Sequence, residues 1–387
     1  KRMGIEKGEY YPLMMFSLSG MVLMGFASDL IVVFLALELL SIPLYILSGF
    51  ARSRPDSEEA ALKYFLLGAF SSGFVLYGSA LVFGATAHTD LSGIVAAVNG
   101  ASPVNTPLLL GGAALILVGM AFKMAAVPFH NWAPDVYQGA PTSVTAFMAV
   151  GAKAAGIAAL LRVFITAFPS LAPNLSVVIW GISALTMIVG NVVAIAQSNI
   201  KRMLAYSSIA HGGYLLMAFV AYGQGQVVSN TVGSVLFYLV AYAVTSFGAW
   251  AVVSAVESSE GVGLALNDYA GIGRKYPILG IAMTVFMLSF AGVPPTLGFW
   301  GKFYLFRTAV EGGYASLALI GLLTSLVSVY YYLRVVVVMF MREGEPKVNQ
   351  EPWLDLTVVA AALAVVVLSL VPGPLFDWAA QAVLKLF

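Results

Sequence analysis

The stretch "FKMAAVPFHNWAPDVYQGAP", residues 122–141, decides how this chain is read. It follows an apolar run long enough to cross a bilayer. Yet it carries Lys123, His130, Asp135 and three prolines, Pro128, Pro134 and Pro141. Proline has no N–H, so Pro128 deprives the carbonyl of Met124, four residues back, of its helical partner. At membrane depth an unpaired backbone group persists only where it is buried in protein or faces water. The stretch is therefore one of two things. It is a broken helix opening a wet cavity beside Lys123, or a surface loop after a span at 107–127 with Trp132 and Tyr137 in the interfacial belt.

A second stretch resembles it. "AGVPPTLGFWGKF", residues 291–303, again sets Val-Pro after small residues and an aromatic pair with Trp after that. The Val-Pro pairs, at 127–128 and 293–294, are 166 residues apart. Each lies in a long tract, 107–141 or 277–310. As one straight helix either tract would run about 51 Å, against a hydrocarbon core of about 30 Å. Each must break or leave along the surface.

The chain has 387 residues, 60% hydrophobic and only 10% charged. With a mean hydropathy of +0.92, it reads as an all-α polytopic membrane protein. A β-barrel is excluded, since its strands would be alternating segments of about ten residues. Eleven apolar tracts stand out: about 11–26, 29–50, 60–86, 107–127, 142–168, 174–196, 203–222, 229–256, 277–293, 314–341 and 353–372. The two Val-Pro breaks fall in the fourth and ninth. An offset of five is odd, so the copies have opposite topology, the inverted-repeat plan of secondary transporters. The expected organisation is a lead-in at 1–10, a first five-helix repeat at 11–168, a second, inverted one at 174–341, and a final span at 353–372.

The chain has no cysteine, which excludes thiolate-ligated iron–sulfur clusters, disulfides and a catalytic thiol. A net charge of +1 gives no reason to expect nucleic acid as a partner. The sequence holds no Gly-rich phosphate loop, no His/Asp metal cluster and no Ser-His-Asp constellation. It opens on "KRMGIEKGEY", with neither an initiator Met nor a signal peptide, and further helices are expected upstream.

Counting loops along the tracts, the side where the chain starts carries Lys1, Arg2, Lys7, Arg52, Arg54, Lys201, Arg202, Arg274, Lys275, Arg342 and Lys347. The other side carries Arg307 and Lys385. By the positive-inside rule the chain start is cytoplasmic and the C-terminus lies outside.

The remaining basic residues lie inside apolar tracts. A lysine at a helix centre costs about 2.5–3.5 kcal/mol on insertion scales, so several together mark an ion path. Lys153, in "MAVGAKAAGIAALL", is central, and so is Glu38, in "LIVVFLALELLSIPLYIL". Lys63 lies about a turn inside its helix, where it either snorkels or pairs with Glu38 across a short loop. Lys123 and Lys302 sit at the two breaks, Lys302 near enough to a helix end to approach the outer surface. His211, in "SSIAHGGYLL", is either a satisfied core histidine or a proton shuttle, and His130 is a weaker relay candidate. Arg162 reads as structural or snorkelling, Arg334, near a helix end, as snorkelling, and Asp135 as a loop cap. Lysine suits a proton path only where burial brings its pKa from about 10.4 toward neutrality.

The segments "ALELLSIPLYIL", "ALKYFLLGAFSSGFVLYG", "FKMAAVPFHNWAPDVYQGAPTSVTAFMAVGAKAA", "KRMLAYSSIAHGGY" and "GVPPTLGFWGKFYLF" together resemble the antiporter-like membrane subunits of proton-pumping NADH:quinone oxidoreductase, respiratory complex I, and most of all the subunit N type. The resemblance runs from about residue 5 to residue 340. It implies two inverted five-helix repeats with broken helices and a string of protonatable residues at mid-membrane. By motif, Glu38 and Lys63 look like the regulatory carboxylate–lysine pair, Lys123 like the channel lysine, Lys153 like the connecting lysine and Lys302 like the terminal lysine. His130 and His211 look like relay neighbours. The M type usually has a glutamate where Lys302 stands, the L type carries a long C-terminal lateral helix, and the N type normally has three more N-terminal helices.

The resemblance further implies no cofactor in this chain. NADH, flavin, iron–sulfur clusters and quinone belong to partner subunits. The partners implied are neighbouring antiporter-like and small membrane subunits, the lipid bilayer and protons, in a bacterial plasma membrane. The rival readings are a subunit of a multi-subunit cation/proton antiporter, a membrane hydrogenase or ferredoxin-linked relative, and a passive assembly scaffold.

Overall fold

In lipid each backbone N–H and C=O must find its partner inside its own segment, so apolar tracts become helices. The computed structural model describes residues 7–52, 54–100, 103–223, 228–257, 262–349 and 351–382. Lys1, Arg2 and Lys385 of the orientation count, the first six residues of the lead-in and the last five of the C-terminus lie outside the described residues.

All eleven tracts are helical. They are α1 (Tyr10–Phe26), α2 (Leu30–Ser48), α3 (Pro55–Thr86) and α5 (Thr106–Lys123). They continue with α7 (Thr142–Phe147), which passes through a π turn, Met148–Ala152, into α8 (Lys153–Ala167). Then come α9 (Ala172–Ile195), α10 (Ile200–Phe219), α11 (Val228–Val256), α13 (Pro277–Ala291) with α14 (Leu297–Glu311), α15 (Ala315–Met341) and α16 (Pro352–Leu370). Among the described residues, eight helices are long and apolar enough to cross a membrane. α1 and α13 are shorter apolar helices. α10 has Lys201 and Arg202 in its first turn and is buried over nearly its whole length.

The periodic reading missed the short elements: α4 (Leu91–Asn99), α6 (Trp132–Gly139), α12 (Ile272–Lys275) and α17 (Pro372–Gln381). It also started α3 five residues late. Pro55 at the first helical position, with Asp56 and Glu58 in the first turn, extends that helix beyond its apolar part.

Three devices in the first half return in the second. Asp29 caps α2 by accepting from Ile31 N at 2.7 Å, and Asn199 caps α10 by accepting from Lys201 N at 2.9 Å. Each cap sits in a two-bond staple between loops. Leu30 N–H donates to Thr89 O and Leu91 N–H to Ser28 O, while Ile200 N–H donates to Leu264 O and Leu266 N–H to Ser198 O. Arg162 and Arg334 do not snorkel. Arg162 Nε donates at 2.5 Å to Ala27 O, the C-cap carbonyl of α1. Arg334 donates at 2.8 Å to Ile195 O and at 2.5 Å to Gln197 O at the end of α9. A guanidinium suits both places, because the last carbonyls of a helix are unpaired and carry its negative pole.

Both long tracts break. α5 ends at Lys123, and α6 starts at Trp132 after eight non-helical residues. α13 ends at Ala291, and α14 starts at Leu297. Each break holds a cis X–Pro bond, Val127–Pro128 or Pro294–Pro295. The surface-loop reading of 128–141 does not hold. Trp132 and Tyr137 are each only 3% exposed, and Trp132 stacks on Tyr64 with ring centres 4.6 Å apart. Its indole donates to Phe122 O at 3.1 Å.

Gly298 opens α14 against the end of α13, and a Cβ there would lie 1.9 Å from the carbonyl oxygen of Ser289. No rotamer change relieves a backbone clash, so the Gly298→Ala chain is expected to lose most of its folded, membrane-integrated yield. Comparing extracted protein on a native gel with wild type checks this; wild-type yield would contradict it.

Candidate functional site: buried lysines at two helix breaks

The lysines at the breaks take the carbonyls that the prolines leave unpaired. Four residues before Pro128 is Met124, and its oxygen accepts from Lys153 Nζ at 3.4 Å. Lys153 Nζ also donates to Ser208 O. Four residues before Pro295 is Ala291, and its oxygen accepts from Lys302 Nζ at 3.0 Å. Ser325 Oγ bonds the same oxygen at 3.2 Å and accepts from Lys302 Nζ at 2.7 Å. The other group freed at the first break, Val127 N–H, donates to Thr186 Oγ1 at 2.9 Å.

Small residues make these approaches possible. Gly292 has φ +82°, and a Cβ on it would meet Lys302 Cδ at 2.8 Å. Gly212 faces Met124 O and Lys153 Nζ, at 3.1 and 3.5 Å from where its Cβ would be. The π turn ends at the residue before Lys153. It adds one residue to the turn and so re-aims the side chains after it.

Lys123, 3% exposed, closes α5, where the helix's negative pole favours a cation. Its Nζ donates to Ser41 Oγ at 2.6 Å and lies 5.4 Å from the Tyr45 ring and 5.5 Å from the Tyr64 ring. Lys153 and Lys302 are 2% and 4% exposed. Lys302 therefore does not approach the surface, and it lies 4.8 Å from the Tyr214 ring.

The Glu38–Lys63 pair is not formed. Lys63 donates to Asp135 Oδ2 at 2.6 Å and pairs with Glu59 at 2.6 Å. Glu38 shares its helix face with Ser41, three residues on, whose hydroxyl accepts from Lys123 Nζ. Its Oε1 is buried without a hydrogen-bond partner. The reason is the late start given to α3: with the helix beginning at Pro55, Glu59 stands one turn before Lys63 and claims it.

His211 is held by two tyrosines. Its Nδ1 meets Tyr238 Oη, and its Nε2 lies 3.1 Å from Tyr332 Oη. Tyr332 in turn bonds Ser207 at 2.5 Å, and Tyr242 donates to Ser208 Oγ at 2.8 Å. His130 joins no such chain; its Nδ1 is buried and unpartnered.

Several residues escaped the sequence reading. Asp135 is not a cap; Lys63 and Arg202, the latter at 2.6 Å, take its two oxygens. Burial pushes the Asp135 carboxyl up, but the bonds from these two cations outweigh it and leave it below the usual carboxylate range. Lys201, expected on the surface, is fully buried and donates to Ala140 O at 2.7 Å. Arg54 is also buried, 3.9 Å from Glu257, which accepts from Thr142 at 2.5 Å. Loop position gave these charges to one side of the membrane and could not reveal how deeply they pack. Among the described residues no three His, Asp or Glu gather as metal ligands.

The family described as the transmembrane part of NADH:quinone oxidoreductase and the Mrp antiporter matches residues 27–328. The chain belongs to this family. It is 48% identical to NADH-quinone oxidoreductase subunit N of Chloroflexus aggregans, over 96% of this chain and 76% of that protein. It is 49% identical to the subunit N of Trichlorobacter lovleyi, over 97% and 77%. A chain of respiratory complex I from Thermus thermophilus, solved with bound aureothin, superposes with a TM-score of 0.83 at 40% identity, over 96% of this chain and 80% of that one. A chain of the Mrp complex from Dietzia superposes with a TM-score of 0.87 at 20% identity, over 97% and 77%, a likeness of fold alone. In this family member the lysines at the two breaks thus lie inside the matched region.

Thr186→Val keeps the side-chain shape but strands Val127 N–H, which costs about 1–3 kcal/mol for a buried donor. The expected result is a lower thermal midpoint of the purified protein, recovered in Thr186→Ser. An unchanged midpoint in Thr186→Val would mean that the break does not depend on this bond.

Proposed function

We propose that this chain is a proton-translocating membrane subunit of an NADH-quinone oxidoreductase, complex I. NADH, flavin, iron–sulfur clusters and quinone are assigned to partner subunits. The observation that carries the reading is the set of three buried lysines, two of them bonded to the carbonyls that prolines orphaned, in a chain 48–49% identical to subunit N proteins. A buried ammonium is expensive. A set of them at backbone openings fits a path for protons better than it fits a scaffold.

The roles follow from the contacts. In a dry interior a nearby carboxylate favours a protonated lysine, and its withdrawal favours release. Glu38 stands on the helix face of Ser41, which accepts from Lys123, so we assign this regulatory role to Glu38 and Lys123 and leave Lys63 at the rim. Lys153 connects the halves, since it bonds the first break and α10. His211, between the hydroxyls of Tyr238 and Tyr332, can pass a proton from one ring nitrogen to the other. It lies on the way to Lys302, the terminal lysine. His130 has no partner that would make it a relay.

We read 11–168 and 174–341 as two inverted repeats, followed by the span at 353–372. The paired caps, staples, arginines and breaks support this. Asp29 and Asn199 are 170 residues apart, Arg162 and Arg334 are 172, and the Val-Pro pairs are 166. The basic loops favour a cytoplasmic chain start, protons moving from that side outward, and a C-terminus outside. The relatives named above are bacterial, which favours a bacterial plasma membrane. The second reading, a cation/proton antiporter subunit, is favoured only by the shared Mrp fold.

In assembled complex reconstituted in liposomes, Lys123→Ala and Glu38→Ala are expected to lose most proton pumping while the complex still forms. A normal proton-to-electron ratio in both would overturn the proposal. Sodium-dependent proton exchange in the absence of NADH would favour the antiporter reading instead.

A further inference from the structure

Asp135 lies where three elements meet. It belongs to α6, beyond the first break. Its Oδ2 accepts from Lys63 of α3 at 2.6 Å, and its Oδ1 accepts from Arg202 of α10 at 2.6 Å. Arg202 also reaches Gln138 Oε1 at 3.2 Å. Beside this junction is an open cavity of about 150 Å³ lined by Asp56, Glu59, Asp135, Gln138 and Arg202. It opens among the first turns of α3 and α10, beside Arg52 and Arg54 ahead of α3 and Lys201 and Arg202 in the first turn of α10. Its charged and amide side chains offer water several hydrogen-bond partners.

The charges here are matched. Asp56 is taken by Arg54 at 2.5 Å, Glu59 by Lys63, and Asp135 by Lys63 and Arg202 together. No carboxylate on this wall can accept a proton without loosening its hold on a cation. Lys63 is the cation best placed to report that event inward. The next residue, Tyr64, is fully buried, stacks on Trp132 three residues before Asp135, and lies 5.5 Å from Lys123 Nζ.

We propose that this cavity is the inlet for protons and that Asp135 is its gate, exchanging its hold on Lys63 for a proton. The proposal rests on the proton-translocating reading above. In the step, Lys63 swings off Asp135 Oδ2, one O–H bond then forms at that oxygen, and one breaks in a hydronium carried in by the cavity water, which is left as neutral water. The carboxylate charge falls to zero, and nothing is oxidised or reduced. Lys63 keeps its protons and its bond to Glu59 but loses its second counter-charge. Arg202 keeps Gln138 and remains as the fixed side of the clasp. When the proton passes inward, the carboxylate charge returns and recaptures Lys63. Asp135 thus touches the transferred proton, while Lys63 and Arg202 position it.

The test uses the assembled complex in liposomes, with NADH oxidation and proton uptake recorded together. Asp135→Asn is expected to lower protons pumped per NADH about twofold or more, with complex assembled in normal amount and with recovery in Asp135→Glu. An Asp135→Asn complex that pumps at the wild-type ratio overturns the gate. Lys153→Ala run in parallel separates the two claims. If it fails to pump while Asp135→Asn pumps normally, only the gate falls; if both pump normally, the translocation reading falls too. Should Asp135→Asn not assemble, the inlet is decided by Gln138→Cys. This chain has no native cysteine, so a membrane-impermeant maleimide, read on this subunit after the complex is separated, reports that position alone. Labelling from the cytoplasmic face supports the inlet. Absence of labelling, or labelling from the opposite face only, overturns it.

Discussion

The structure depends on one exchange. A proline withholds an N–H from a helix inside the membrane, and a lysine beyond the break supplies the missing donor. Each half of that arrangement is unfavourable alone: an unpaired carbonyl costs free energy in lipid, and so does an ammonium. Together each offsets part of the other's cost. Met124 O with Lys153 and Ala291 O with Lys302 are the two instances. The donor at the first break comes from a later helix, while at the second it comes from the outgoing half of the same broken element. Lys302 therefore follows its own break, whereas Lys153 ties the first break to α10 through Ser208.

Aromatic and hydroxyl side chains fill the space between the charges. Lys123 lies against Tyr45 and Tyr64, Lys153 lies 5.7 Å from Tyr242, and Lys302 lies against Tyr214. A ring face offers an ammonium a weak attraction without a full counter-charge. That suits a group that must hold a proton without being locked in a salt bridge. The rim works differently: Lys63, Arg54, Arg202 and Lys275 are all paired with carboxylates.

Much of this was legible in the sequence, because bilayer physics writes itself into composition. Tract lengths gave the helices, and Pro128 pointed to Met124 O as the orphan. The Val-Pro pairs pointed to both breaks, and the depth of Lys153 followed from its place in an apolar tract, whereas that of Lys302 did not. What was not legible depended on distance in space. Nothing in the spacing of Glu38 and Lys63 reveals that Glu59 and Asp135 reach the lysine first. Arg334 looks like a snorkelling residue until α9 is seen to end beside it. Lys201 and Arg202 are neighbours with the same loop address, yet one is fully buried and the other half-exposed. Tyr238 and Tyr242, one helical turn apart in α11, carried the one missed local signal. They are hydroxyls repeated along a face that otherwise had no need of them.

The arginine caps and loop staples also determine where the bundle can yield. Both halves are fastened at the mouths of their helices, by paired backbone bonds and by a guanidinium gripping a helix end. At the middle, each interruption is held by side chains, an ammonium together with a hydroxyl at both breaks. A frame with fixed corners and a compliant waist does not relieve a push by letting its struts slide lengthwise. Side chains at the interruptions can rearrange while the rims stay fastened.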